Sequence, residues 1–237
     1  MTSSARRFWD RRAEDDAFYF VDNRLEYGDP DVARFWKAGE QDLDRLLTGL
    51  GARLSATDDV VEIGCGVGRL TRVLADRSAT VRALDVSERM LDAARRHNPA
   101  LANVEWLLGD GASLAGIASS SADAVVSHVV FQHIPDSDVT LGYVREIARV
   151  LRPGGWAAFQ ISNDPAVHRP RDSRSRVHAA LAGLLRRAAP WEENPYWLGS
   201  HIEIPALRQA ARDGSMEIER IEGEGTQFCL VLTRRKH

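Results

Sequence analysis

An apolar run, Val60-Val61-Glu62-Ile63, breaks into Gly64-Cys65-Gly66-Val67-Gly68, and a second run from Thr80 to Leu84 ends in Asp85-Val86. A strand that opens into such a turn brings backbone within contact distance of a ligand, because any Cβ there would fill the ligand's space or forbid the needed φ. Arg69, Leu70, Val73 and Leu74 follow with their apolar members at helical spacing, so strand, glycine turn and helix come in order. Asp85 then offers a carboxylate able to accept two hydrogen bonds from the vicinal hydroxyls of a ribose. The dinucleotide-binding fingerprint needs a third glycine three residues after the second, and Arg69 stands there. A pyrophosphate at that place would meet a side chain.

The chain has 237 residues, enough for one α/β domain that buries roughly 70% of its unfolded surface. A formal charge of −3 gives no global basic field, so a nucleic-acid partner is not expected. Two cysteines, Cys65 and Cys229, offer no disulfide framework and fit a reducing, cytoplasmic setting. No apolar run approaches the roughly 18 residues of a membrane span. The N-terminus is charged from Arg6 onward without a signal-peptide stretch, so no membrane partner is expected either.

Residues 1–34 set Trp9, Phe18, Tyr19, Phe20 and Tyr27 among charges and read as an N-terminal aromatic cap. Gly28-Asp29-Pro30 turns into a helix over 35–50 that carries Leu43, Leu46, Leu47 and Leu50 on one face. From Val60 the chain alternates strand and helix, which implies a mostly parallel sheet. Strands are expected over 104–108, 124–130 and 156–161, with a helix over 141–151. An Arg- and Pro-rich insertion at about 163–200 follows, with one helix over 177–187. A helix over 204–212 then leads into an antiparallel hairpin of strands 216–221 and 227–233.

The glycine spacing, with Glu62 two residues ahead, resembles motif I of the class I S-adenosylmethionine-dependent methyltransferases. Gly109-Asp110 is similar to that family's adenine-contacting turn, and Leu151-Arg152-Pro153-Gly154-Gly155 to the turn before its fifth strand. The likeness runs over residues 35–235 and covers the closing hairpin. It implies a Rossmann-like α/β fold whose seven-stranded, mostly parallel sheet has helices on both faces and an antiparallel last strand. It implies S-adenosylmethionine as cofactor, with Glu62, Gly64 and Gly66 along the methionine moiety, Asp85 on the ribose and Asp110 at the adenine amino group. Cys65, Val86, Gly111 and His128 complete the implied cofactor-binding set, together with Met90, which packs either on the adenine ring or in the core.

Methyl transfer from a sulfonium is an in-line displacement, so positioning and exclusion of water matter most. A hydroxyl acceptor must also lose its proton, and a placed base contributes on the order of 10²- to 10⁴-fold. His128 and His133 follow the fourth strand, at the carboxyl edge where such sheets place ligands, and are the two candidate bases. A structural histidine is the plainer reading of each. Gln132 either orients an acceptor hydroxyl or starts a helix. Tyr196, Trp197 and His201 follow the insertion, where aromatic faces suit a sugar or an apolar ring, or simply anchor the insertion. His168 and His178 read as surface residues.

Asn194-Pro195-Tyr196 is similar to a nucleic-acid amino-methyltransferase motif but lies in the wrong place, because that motif follows strand four. Cys65, inside the cofactor turn, has no room to act as a nucleophile. Mg²⁺ is the weaker cofactor reading: Asn163-Asp164 stand where a metal-dependent O-methyltransferase needs ligands, but the strand-four partner is a histidine, a poor Mg²⁺ ligand.

The expectation is methyl transfer to a hydroxyl of a small molecule, a sugar or other natural product being favoured. The alternatives are an N- or C-methyltransferase working by proximity, a non-catalytic S-adenosylmethionine-binding protein and, last, a nicotinamide dehydrogenase. The N-terminal cap and the insertion are expected as lids over the acceptor, the insertion alternatively as a homodimer surface.

Overall fold

The computed structural model describes residues 2–168 and 194–237. The helix expected over 177–187, His178 and most of the insertion lie outside the described residues. Strands β1 (Asp59–Ile63), β2 (Thr80–Asp85), β3 (Val104–Leu108), β4 (Ala122–Ser127), β5 (Leu151–Ile161), β6 (Met216–Glu222) and β7 (Cys229–Arg235) form one sheet in the order β3-β2-β1-β4-β5-β7-β6. The first five are parallel, and β7 enters antiparallel between β5 and β6. This is the Rossmann-like arrangement that the glycine turn and the closing hairpin imply.

Adjacent residues of β1 serve opposite cores, as a side-chain period of two requires. Val60 packs with Leu43 and Leu46 of α2 (Val32–Leu50) and Leu74 of α3 (Thr71–Arg77). Val61 and Ile63 pack with Val144 and Ile147 of α5 (Ser137–Val150), on the face shared with Leu207 of α7 (Ile204–Asp213). Burial on both faces explains why β1 reads as a continuous apolar run. Between α3 and α5 in sequence, α4 (Glu88–His97) is capped by Ser87, whose Oγ accepts from Met90 N–H. The short α6 (Pro195–Leu198) begins the return from the insertion.

Two boundaries differ from the sequence expectation for local reasons. β4 stops at Ser127 because Val129 takes φ 58°, a left-handed conformation that ends a strand. β5 starts at Leu151 rather than Trp156, since Leu151 pairs with Ala122 and Trp156 with Ala124, so residues 152–155 bulge out of register.

The aromatic N-terminal segment folds as α1 (Thr2–Val21), broken at Asp16, whose carboxylate accepts from Tyr19 N–H (3.0 Å) and Gly28 N–H (2.7 Å). Phe20 joins Phe35, Val67 and Met90 in a third, smaller core that seats α1 beside the glycine turn. Two polar contacts tie α1 to the ligand edge of the sheet. Arg6 donates to Val86 O (3.2 Å) and Gly109 O (3.4 Å), while Asp10 accepts from Ser87 Oγ (2.6 Å) and Arg89 N–H (3.2 Å).

Arg69, the residue that breaks the dinucleotide pattern, points toward α2 and joins a buried ionic cluster. Asp42 meets Arg69, Arg24 (2.7 Å) and Arg45 (2.6 Å), and Asp22 meets Arg24 (2.6 Å). Burial alone would raise both carboxyls; hydrogen bonds from Arg24, then the charge of Arg69, hold them below the ordinary aspartate value. The Arg69 side chain is 5% exposed, so Asp42→Ala leaves a buried cation short of its main partner. Removing one member of such a pair costs about 3–5 kcal/mol. Thermal unfolding should therefore fall by roughly 6–20 °C, at about 2–4 °C per kcal/mol for a chain of this size. A shift under about 2 °C would show that the cluster does not hold α2 to the turn.

Candidate active site

The glycine turn is fixed to the end of β2 before any ligand is considered. Gly64 N–H (2.7 Å) and Cys65 N–H (2.9 Å) both donate to Leu84 O, and Gly66 N–H donates to Asp85 Oδ2 (2.8 Å). Gly64 and Gly66 have φ of +75° and +54°, and a Cβ on them would come within 2.3 Å of Val130 Cγ2 and 2.7 Å of Val21 Cγ2 respectively. Only glycine fits this cradle, on conformation and on space.

Above the turn lies a cavity of about 160 Å³. That is below the roughly 300–1,000 Å³ usual for small-molecule sites, because α1 lies across it and supplies Ala5, Trp9, Phe20 and Val21 to its lining. Glu62, Gly64, Cys65, Gly66, Asp85, Val86, Met90, Gly111, His128, His133 and Tyr196 all line this one space. Residues from Glu62 to Tyr196 in sequence thus converge at the carboxyl edge of the sheet, at the β1/β4 switch in strand order.

Two acids line the cavity, and burial raises both carboxyls. Glu62 is buried and accepts from Thr71 Oγ1 (2.5 Å), and burial pushes its carboxyl up to about 7. Asp85 accepts from Gly66 N–H and Ser87 N–H (2.8 Å), and burial raises it to about 6 in spite of those bonds. Burial disfavours the anionic form of each, so a ligand ammonium or hydroxyl donor in hydrogen-bond reach would favour ionisation. Met90, 2% exposed, lines the cavity and belongs to the small core under α1.

The histidines differ in how they are held. His133 Nδ1 lies 3.2 Å from Trp197 O, and its Nε2 lies 3.3 Å from Gln132 Nε2. A carbonyl only accepts, so Nδ1 carries the proton and Nε2 keeps its lone pair. The ring stands between Trp9 (5.5 Å) and Trp197 (5.4 Å). Nδ1 of His128 is buried without a hydrogen-bond partner among the described residues. Burial lowers both imidazoles to about 4, so both are neutral near pH 7.

Four residues depart from their expected places. Asp110 is absent from the lining; its carboxylate accepts from Ala112 N–H (2.8 Å), Ser113 N–H (2.7 Å) and Ser113 Oγ (2.6 Å), so it shapes its own loop. Gln132 is 5% exposed and turned into the core, where its Oε1 accepts from Gln160 (2.9 Å). Trp197 backs His133 from outside the lining, and its neighbour Tyr196 reaches the cavity with its hydroxyl 2.8 Å from Ser4 Oγ. His201 lies outside the cavity, paired with Glu203 (3.2 Å) and stacked on His168.

His168 in turn is no plain surface residue, because it bonds Ser162 Oγ (2.6 Å) and Leu198 O (2.5 Å) across the neck of the insertion. The Mg²⁺ reading also fails on geometry. Asn163 donates to Ile202 O (2.7 Å) and accepts from Gly225 N–H (2.8 Å), Asp164 accepts from Ala166 N–H (2.8 Å), and neither lines the cavity. Among the described residues no group of three or more His, Cys, Asp or Glu is placed to hold a metal, and no helix is long and apolar enough to cross a membrane. Of the α1 residues that roof the cavity, Trp9 and Phe20 belong to the aromatic cap read from sequence, whereas Ala5 and Val21 carry no sequence signal.

A methyltransferase-domain family model matches residues 61–159, from β1 through β5. Those residues match a family of class I S-adenosylmethionine-dependent methyltransferases, and the fold around them is the one such proteins share. The domain is 40% identical over 116 residues to the biotin biosynthesis bifunctional protein BioHC of Cellvibrio japonicus, covering 48% of this chain and 21% of that protein. It is 28% identical over 166 residues to the ubiquinone biosynthesis O-methyltransferase of Thiobacillus denitrificans, covering 69% of this chain and 66% of that protein. The chain thus spans less than two thirds of either relative. In fold, the methyltransferase domain is similar to the N-methyltransferase NodS of Bradyrhizobium japonicum, solved with S-adenosylhomocysteine. That likeness has a TM-score of 0.61 at 16% identity and covers 98% of this chain and 99% of that one.

The fit of an adenosyl cofactor to the domain rests on the glycine cradle and on two cavity-lining acids whose carboxyls burial pushes up. A ligand ammonium needs Glu62 ionised, and its carboxyl titrates at about 7. Affinity for S-adenosylhomocysteine should therefore rise from pH 5.5 to 7 and then level off, by up to about tenfold per pH unit on the acid side. Titration calorimetry across that range checks this. Glu62→Gln should bind more weakly with a flat profile, and an equally steep profile in that variant would assign the titration to another group.

Proposed function

We propose that the protein transfers a methyl group from S-adenosylmethionine to a hydroxyl oxygen of a small-molecule acceptor, with a sugar or other natural product favoured. The observation that carries the oxygen preference is His133. Its Nδ1–H is held by Trp197 O, its Nε2 lone pair meets only the Gln132 amide at 3.3 Å, and the ring lines the same cavity as the glycine cradle. Bound S-adenosylmethionine supplies an electrophilic methyl group; everything else asked of this chain is binding, orientation and removal of one proton. Glu62 and the cradle would hold the amino-acid end, and Asp85 the ribose hydroxyls. His133, neutral through the working pH range, would take up the acceptor proton at Nε2. His128, with no orienting partner on Nδ1, fits a contact to ligand better than a base.

Likeness to the ubiquinone O-methyltransferase supports an oxygen acceptor, whereas likeness to NodS supports the nitrogen alternative. His133→Ala should lower kcat by about 10²- to 10⁴-fold on a hydroxyl acceptor, with His128→Ala raising KM more than it lowers kcat. Near-full turnover in His133→Ala would refute the base and favour an amine or carbon acceptor that reacts by proximity alone.

The roof over the cavity supports a lid role for α1, which must shift for a cofactor to enter so small a space. Asp10 is the latch on Ser87 and Arg89. Stopped-flow binding of S-adenosylhomocysteine to Asp10→Ala should therefore show association and dissociation both severalfold faster. Rates equal to those of the native chain would argue against the lid.

A further inference from the structure

Gln160 is fully buried in β5, behind both cavity histidines. Its Oε1 accepts from Val129 N–H (3.0 Å), and its Nε2 faces Ile161 O (2.9 Å), Gln227 O (2.6 Å) and Gln132 Oε1 (2.9 Å). This set fixes the amide's orientation. An N–H must meet Oε1 and only acceptors surround Nε2, so two amide protons are shared among three oxygens. Gln132 therefore turns its oxygen to Gln160 and its own NH₂ to His133 Nε2, at 3.3 Å. That NH₂ faces the Nε2 lone pair, so the resting ring proton resides on Nδ1, where Trp197 O receives it, and an acceptor hydroxyl gains Nε2 by displacing the long Gln132 contact. The same Gln160 oxygen holds Val129, a β-branched residue at φ 58° that directly follows His128 and lines the cavity.

We propose that Gln160 is a positioning residue: through Gln132 it sets which nitrogen of His133 can accept a proton, and through Val129 it holds the turn that presents His128. Gln160 touches neither the cavity nor a reacting atom, and its effect is carried by donor and acceptor direction alone. A buried glutamine that only satisfied nearby backbone would leave the His133 tautomer free of its influence.

Nitrogen-15 NMR of the full chain labelled in histidine reads this directly. His133 should be the Nδ1–H tautomer in the native protein. Gln160→Glu, with no N–H to offer, should turn Gln132 over so that its oxygen faces Nε2 and draws the proton there. Gln132→Glu should likewise protonate Nε2 while leaving Gln160 in place, which keeps the test open should the buried Gln160→Glu variant fail to fold. Both variants should lose kcat on the order of 10²-fold, the cost of a misplaced reacting group. S-adenosylhomocysteine affinity should stay within about twofold, since neither position meets Glu62 or Asp85. An Nε2–H tautomer in the native protein, or Nδ1–H persisting in the variants, overturns the proposal. The kcat arm rests on the proposed oxygen methylation, whereas the tautomer arm does not. Expected tautomers without hydroxyl methylation would refute the base and leave the positioning role standing.

Discussion

Three backbone N–H groups, of Gly64, Cys65 and Gly66, are fastened to the last two residues of β2, and most of the site follows from that fastening. It closes the turn on Leu84 and makes Asp85 a structural acceptor that also lines the cavity. It also forces positive φ at Gly64 and Gly66, so the backbone there lies bare beneath Val130 and Val21. The next residues then have defined directions. Thr71 reaches back to Glu62, and Arg69 reaches away to Asp42, so one short segment ties the cofactor cradle to the helix that covers it.

Charge in this region falls into two contrasting pairs of acids. Asp42 and Asp22 are buried with arginines and sit below the ordinary carboxylate range, a self-contained arrangement. Glu62 is buried and Asp85 partly so; among the described residues neither pairs with a cation, and both sit above that range. The contrast lies within one neighbourhood, so general burial does not explain it; the difference is the identity of the hydrogen-bond partners. A positively charged ligand with hydroxyl donors would give the second pair what Arg24 and Arg69 give the first.

Much of this was legible in the sequence because it is local. The strand, turn and helix around Gly64, the carboxylate at Asp85 and the closing hairpin each follow from residues a few positions apart, whose spacing reports directly on backbone geometry. Asp110 was misplaced because an Asp beside glycine in a turn has two uses, and the competing one, capping Ser113 and Ala112 in its own loop, won. Gln132 was misplaced for the opposite reason. Its partner Gln160 is 28 residues away on another strand, and no periodicity announces a polar residue that a neighbouring strand satisfies. The roof formed by Trp9, Phe20 and Val21 depends on where α1 docks, which polar contacts at Arg6 and Asp10 decide.

The acceptor side is harder to read for a related physical reason. Its wall brings together α1, the segment after β4 and α6, three pieces with no common motif, through ring contacts among Trp9, His133, Trp197 and Phe8 with Tyr196. Aromatic faces of this kind are chosen by shape and tolerate many arrangements, so the sequence carries their presence but not their relative pose. Directional groups are few there, which raises the weight of each. Tyr196 is engaged by Ser4, and His133 is aimed by Trp197 O on one edge and Gln132 on the other. Specificity toward an acceptor would then come from the apolar outline of the cavity, while the chemistry would depend on one imidazole whose direction is set from β5.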